Sequence, residues 1–255
     1  MKTWFTAAAF VAASLGAQAQ AADPLKAAVA ADHRSVGNVA RDPARHPYET
    51  LSFFGIKPTD TVVELAPGGG WYTEILAPYL REQGQLYAVA GASTRFKAKM
   101  DSLPVYGKVK ITTFDAAKGQ TEIAPAGTAD AVLTFRNVHN WMDNGSVQAV
   151  FDAAFKALKS GGVLGVEEHR LPAARTQDPK GSTGYVHEAT VIKFAETAGF
   201  KLAGKSEVNA NPKDTADHPE GVWTLPPTYA LKDKDRAKYQ AIGESDRMTL
   251  KFVKP

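Results

Sequence analysis

The chain has 255 residues, 44% hydrophobic and 22% charged, which is enough apolar content to bury a core and unlike a disordered or collagenous composition. Thirty Lys and Arg stand against 27 Asp and Glu, a net charge of +3 that alternates in sign along the chain and excludes a dedicated nucleic-acid binder with a concentrated basic face. Cysteine is absent, so thiol catalysis, disulfides and cysteine-ligated zinc are excluded too.

Residues 1–22 carry one cation, Lys2, an apolar run over 4–15, and small residues at Ala17-Gln18-Ala19 and Ala19-Gln20-Ala21. This is the pattern of a cleaved secretory signal peptide, and the run falls short of the roughly 20 apolar residues a spanning helix needs. The mature chain, with 29 basic and 27 acidic residues once Lys2 is removed, is expected in the periplasm without stable membrane insertion. Residues 23–255 read as a single domain. Within it, 23–56 mix Arg41, Arg45, His46 and Pro47 with apolar Leu51, Phe53 and Phe54, and predict one or two helices capping a sheet.

Beyond residue 60, short apolar runs alternate with helical patterns, the signature of a parallel sheet covered on both faces. Strands are predicted at 61–65, 85–90, 109–114, 129–135 and 162–166. Helices are predicted at 71–81, from the spacing of Tyr72, Ile75, Leu76 and Tyr79, and at about 147–158, with Ser146 as N-cap and Gly161-Gly162 as the stop. A helix over 187–198 follows, and 200–208 with 247–253 alternate like an antiparallel pair. The segment 209–244, rich in Pro, Asp and Lys, reads as a long loop inserted before the last strand.

The chemistry lies at Glu64-Leu65-Ala66-Pro67-Gly68-Gly69-Gly70-Trp71. A glycine turn between a strand and a helix lets backbone N–H groups and the helix start approach a ligand without Cβ interference, although glycines are also common in plain strand-to-helix turns. Thr73 stands where a dinucleotide fingerprint of the form G-x-G-x-x-G needs its third glycine, which argues against NAD or FAD. No G-x-S-x-G supports a serine hydrolase. Glu167, Glu168, His169, His187 and Glu188 offer oxygen and nitrogen donors but match no metal-binding spacing, so no metal is expected.

The segment resembles the first motif of class I S-adenosylmethionine-dependent methyltransferases, an acidic residue followed by three spaced glycines, here Glu64 with Ala66, Gly68 and Gly70. Ala129-Asp130-Ala131-Val132-Leu133-Thr134-Phe135 is similar to that superfamily's fourth strand, and Leu158-Lys159-Ser160-Gly161-Gly162-Val163-Leu164 to its entry into the fifth. The strings Ala44-Arg45-His46-Pro47, Arg136-Asn137-Val138-His139-Asn140-Trp141 and Ser245-Asp246-Arg247-Met248-Thr249-Leu250 further resemble a family of exported predicted methyltransferases.

The resemblance implies a three-layer α/β sandwich with a mostly parallel, seven-stranded Rossmann-like sheet and an antiparallel C-terminal edge strand. Its cofactor would be S-adenosylmethionine, and its activity methyl transfer to a nitrogen, oxygen or sulfur of a small molecule. On this reading Glu64, Ala66, Pro67, Gly68, Gly69 and Gly70 would hold the methionine part, Ala90 would lie beside the ribose, and Asp115 with Ala116 beside the adenine. Asp115 reads equally as a turn-former. Arg136 would border the cofactor, while Asn137 and His139 would meet the reacting groups, His139 as a general base or else as a structural histidine supporting Trp141. The resemblance departs at Ala90, where the usual ribose-binding carboxylate is missing. That departure, and a cofactor made in the cytoplasm, keep open an exported binding protein that reuses the fold without catalysis.

Overall fold

The computed structural model describes Met1 and residues 23–255; the predicted leader falls on residues outside these. Four short helices open the described chain: α1 (Pro24–Val29), α2 (Val36–Val39), α3 (Asp42–Arg45) and α4 (Pro47–Phe54). The alternating part runs β1 (Thr61–Leu65), α5 (Thr73–Leu80), β2 (Gln85–Val89), α6 (Thr94–Ser102), β3 (Lys110–Thr112), β4 (Ala129–Phe135), α7 (Val138–Asp143), α8 (Val147–Ala157) and β5 (Leu158–His169). It closes with α9 (Glu188–Thr197), β6 (Lys201–Ser206), α10 (Arg236–Ile242) and β7 (Arg247–Val253). No helix among the described residues is long and apolar enough to cross a membrane.

The seven strands form one sheet in the order β3-β2-β1-β4-β5-β7-β6. The pairs from β3 to β5 are parallel, while β7 runs antiparallel between β5 and β6. This is the expected mostly parallel α/β sandwich with an antiparallel pair at one edge, the C-terminal strand β7 lying one in from the edge that β6 forms. Helices cover both faces because β1 and β4 are apolar on both. Val62, Ala131 and Leu133 pack under α4 and α5 with Phe54, Leu76 and Leu80. Val63, Leu65 and Val132 pack under α8 and α9 with Phe151, Val191 and Ala195. Successive residues of one strand thus feed opposite cores, as the two-residue period of a strand demands.

Three local expectations are corrected. The cap of 23–56 holds four helices rather than one or two. Ser146 makes no side-chain cap on α8, because its own N–H and hydroxyl both donate to Asn144 Oδ1 at 3.0 and 2.6 Å. Helix α8 ends at Ala157, not at the glycine pair: β5 already starts at Leu158, and Gly161-Gly162 falls where the register between β4 and β5 shifts.

Between β1 and β4 the chain order reverses, since β1 leads outward to β2 and β4 leads the other way to β5. The loops after these two strands therefore turn away from each other, which opens a crevice at their C-terminal ends.

Candidate active site

The crevice is built on the turn after β1. Ala66 stands at φ 47°, Gly68 at 57° and Gly70 at 79°, so the first glycine position of the motif does demand a left-handed backbone and Ala66 adopts it with a methyl group attached. The Gly70 N–H donates to Pro67 O at 2.8 Å, closing the turn just before α5. A Cβ built on Gly68 or Gly69 would meet no protein atom within 4 Å, so both face the crevice. Gly70 instead lies against α6, with Lys99 and Phe96 at 3.4 Å from such a Cβ.

Glu64 is fully buried at the end of β1 and accepts from Thr73 Oγ1 at 2.5 Å. Burial raises its carboxyl to about 7 against the opposing Thr73 hydrogen bond and the Lys99 charge. The turn is pinned from the β4 side: Asn137 Nδ2 donates to Leu65 O, Ala66 O and Phe135 O at 3.5, 3.3 and 3.2 Å. Asn137, expected among the reacting groups, has its amide engaged in holding the turn.

Three cavities meet here. One of about 440 Å³ is lined by Glu64, Ala66, Pro67, Gly68, Gly69, Arg136 and Asn137, and on its far wall by Arg41, Arg45, Trp71 and Tyr72. An apolar one of about 190 Å³ joins it at Leu65 and Ala66 and runs past Val89, Ala90 and Phe114. A third, of about 180 Å³, shares Arg41, Arg45 and Arg136 with the first and continues to His169, Trp223, Pro226 and Ser245. A larger cleft around Arg170, Pro172 and Pro212 shares no lining residue with these three.

The shared wall is strongly cationic. Arg41 Nε donates to Glu244 Oε1 at 2.6 Å, and Arg45 Nε and Arg247 Nη1 to Glu244 Oε2 at 3.3 and 3.1 Å. Arg136 Nη1 donates to Glu167 Oε1 at 3.3 Å; Arg247 Nε lies 3.4 Å from the same oxygen without hydrogen-bond geometry. Glu167 Oε2 accepts from Tyr72 OH at 3.2 Å, and Tyr72 stacks on Phe135 with ring centroids 3.5 Å apart. Burial, and then repulsion by Arg136, pull the Arg45 guanidinium down to about 9. Although burial opposes ionisation, Arg41's hydrogen bond and the charges of Arg45 and Arg247 draw Glu244 down to about 2.

His139 lies behind the third cavity rather than in its wall. It is buried, its Nδ1 sits 3.0 Å from Glu168 Oε1, and its ring packs against His169 and Trp223 at 5.5 and 5.9 Å between centroids. The histidine that does line the cavity is His169, whose Nδ1 shares a hydrogen bond with Ser245 Oγ at 2.6 Å. Burial, with His139 and Arg136 adding to it, pushes His169 well below the usual histidine range, so its ring is neutral at physiological pH. His139, Glu168 and His169 bring possible ligand atoms within 4.8 Å of one another. However, Glu168 is already occupied by His139 and by the His169 N–H at 2.8 Å, and the charges of Arg136, Arg247 and Arg45 bear on His169, a field hostile to a cation.

The structure thus gathers Glu64, Ala66, Pro67, Gly68, Gly69, Arg136 and Asn137 around one cavity and puts Ala90 in the adjoining one. Asp115 and Ala116 line none of the three: Asp115 opens a one-turn helix, accepting from the Lys118 N–H at 3.2 Å and pairing with Lys118 Nζ at 2.8 Å. The position fits the turn-forming alternative. Arg41, Tyr72 and Trp223 were not singled out as site residues in the sequence, His169 was weighed only as a metal donor, and Arg45 entered only within the string Ala44-Arg45-His46-Pro47.

No protein-family model matches the chain, and no curated protein sequence is similar to it. Solved structures do share its fold. A SAM-dependent methyltransferase from Aquifex aeolicus superposes with a TM-score of 0.55 at 20% identity, over 73% of this chain and 93% of that one. The [4+2]-cyclase SpnF gives 0.58 at 15% identity, over 91% and 92%. The glycopeptide N-methyltransferase MtfA, solved with S-adenosylmethionine, gives 0.52 at 13% identity, over 82% and 87%.

Proposed function

We propose that this chain is an exported S-adenosylmethionine-dependent methyltransferase that modifies a small molecule in the periplasm. The observation that carries the reading is the pair of joined cavities at the C-terminal ends of β1 and β4, floored by a glycine turn whose Gly68 and Gly69 have no Cβ to fill them. The residues present fit the cofactor. Glu64 is a buried carboxyl poised near 7, ready to ionise beside an ammonium group. The apolar cavity beside Ala90 and Phe114 suits a nucleoside. Its polar complement is thin, because Ser93 Oγ already accepts from the Phe96 N–H and Ala90 offers no carboxylate to the ribose; a lost charged hydrogen bond of that kind costs about 1.5–3 kcal/mol.

When bound, the cofactor supplies an activated methyl group, so the chain's own work is mainly alignment and exclusion of water. Asn137 and Thr73 hold the turn and Glu64 rigid. Tyr72 and Phe135 form an aromatic wall. His169, neutral and in the wall of the third cavity with its Nδ1 hydrogen-bonded to Ser245 Oγ, can position a hydroxyl acceptor, while its lowered basicity makes it a weak general base. A second reading, a non-catalytic exported binding protein, draws its support from Ala90, which offers no carboxylate to the ribose.

Titration calorimetry of the purified protein with S-adenosylmethionine and S-adenosylhomocysteine tests the choice. Saturable heat from both supports the enzyme reading, whereas silence at millimolar ligand retires it.

A further inference from the structure

We infer that the acceptor is a small oxyanion, a carboxylate or phosphate of about aromatic-ring size, whose charged group sits on Arg45, Arg136 and Arg41 where the glycine-turn cavity meets the Trp223 cavity. The inference rests on the methyltransferase reading, since it names the second substrate of that site.

The charge balance is the first support. Four guanidinium groups, those of Arg41, Arg45, Arg136 and Arg247, share two directly paired carboxylates, Glu167 and Glu244, an excess of two positive charges among these six side chains. His169 adds no negative charge, and Tyr72 is held in its neutral form, burial pushing its hydroxyl well above the usual tyrosine range. S-adenosylmethionine brings one carboxylate but does not balance the excess as a whole. Its sulfonium and ammonium outweigh its carboxylate, so it adds a net positive charge, which Glu64 at most cancels by ionising. The acceptor is the remaining component.

Hydrogen-bonding capacity is the second support. Arg45 is 2% exposed and lines both cavities, yet its Nη1 is buried without any partner. A buried donor left unpaired costs about 1–3 kcal/mol, more for a charged group, so a wall built this way anticipates an acceptor atom. Among the described residues the Arg41 side chain donates only through Nε and the Arg136 side chain only through Nη1, leaving further guanidinium N–H groups of both for a ligand in the cavities they line. Arg136 is held at φ 60° by its backbone N–H donating to Glu167 O at 2.7 Å, a strained conformation that fixes where its guanidinium starts. Planar forks of this kind suit carboxylate and phosphate oxygens.

Shape is the third. Beyond the arginines the cavity is walled by Val222, Trp223 and Pro226 on one side and by His169, Glu244 and Ser245 on the other, and holds about 180 Å³. A dry cavity of about 150 Å³ accommodates benzene, so a compact acid with an apolar body fits. The same cationic field opposes a metal ion at the neighbouring His139, Glu168 and His169, which leaves the anion as the ligand this corner favours.

The test is calorimetry with benzoate, phenyl phosphate and the neutral isostere benzamide, at low ionic strength, with and without saturating S-adenosylhomocysteine. Both anions should bind at least tenfold more tightly than benzamide and should still bind when the nucleoside is present. Arg45→Gln and, as a more exposed variant, Arg41→Gln should each weaken the anions tenfold or more. Equal binding of benzamide overturns the inference. So does competition between anion and S-adenosylhomocysteine, which would give the arginines to the cofactor's own carboxylate, and so does anion affinity unchanged in both variants. Anion binding without any S-adenosylhomocysteine binding would remove the cofactor reading and leave the oxyanion site standing.

Discussion

At the scale of single residues, the buried carboxyl of Glu64 governs a measurable pH dependence. Its group ionises near the ordinary 4.5 in the unfolded chain and near 7 in the folded one, so between those values the folded state holds a proton the unfolded state has lost. Stability therefore falls as pH rises from 4.5 to 7 and stays lower above, by about 3 kcal/mol in all. Glu64→Gln should flatten this slope in thermal melts between pH 5 and pH 8; an unchanged slope would show that the carboxyl ionises freely. Ala90 gives the complementary test. Restoring a carboxylate with Ala90→Asp should tighten S-adenosylhomocysteine about tenfold or more in calorimetry, and no gain would move the nucleoside away from that cavity. Glu64 and the glycines were legible because a motif encodes them locally. Asp115 carried two readings in the sequence, and the structure shows the turn of one of them, with Lys118 paired to its carboxylate.

Secondary elements carry two further outcomes. In the turn between β1 and α5, Gly69 has an unstrained backbone and faces the crevice with open space where a Cβ would go. Gly69→Ala should leave the melting temperature unchanged and cut cofactor affinity tenfold or more, whereas equal affinity would put the ligand elsewhere. At the junction of α3 and β7, Glu244 clamps Arg41, Arg45 and Arg247 together. Removing one partner of a buried network strands its charges, so Glu244→Gln should cost about 3 kcal/mol, read from urea unfolding midpoints. Strand positions were readable at β1, β4 and β7, where β-branched and apolar runs are unambiguous. The start of β5 was misread because a glycine pair stops helices and also interrupts strands, and only pairing with β4 decides which.

At the scale of the whole molecule, the strand order sets the crevice and the long segment before β7 supplies its outer wall. Trp223 and Pro226, from a stretch read as a loop, close the third cavity together with Arg41 and Arg45 from the opposite end of the chain. Because ligand would bridge these parts, binding should stabilise the molecule globally. S-adenosylhomocysteine at about 100 times its Kd adds about 2.7 kcal/mol, and thermal melts should rise by roughly 5–10 °C. A rise confined to local probes around α5, without a global shift, would mean that the cap and the sheet do not act as one unit.

What the sequence determined by itself was written in short-range pattern: alternating strands and helices, the glycine turn after β1, the acidic residue before it, and the missing carboxylate at Ala90. Tertiary structure alone decided the rest. Arg41, Arg45, Arg136, Glu167, Glu244 and Arg247 are scattered over some two hundred positions, and what they do depends on how many charges end up in one poorly solvated corner. No local motif records that sum, since the energy of a charge is set by its neighbours in space and by the water it has lost.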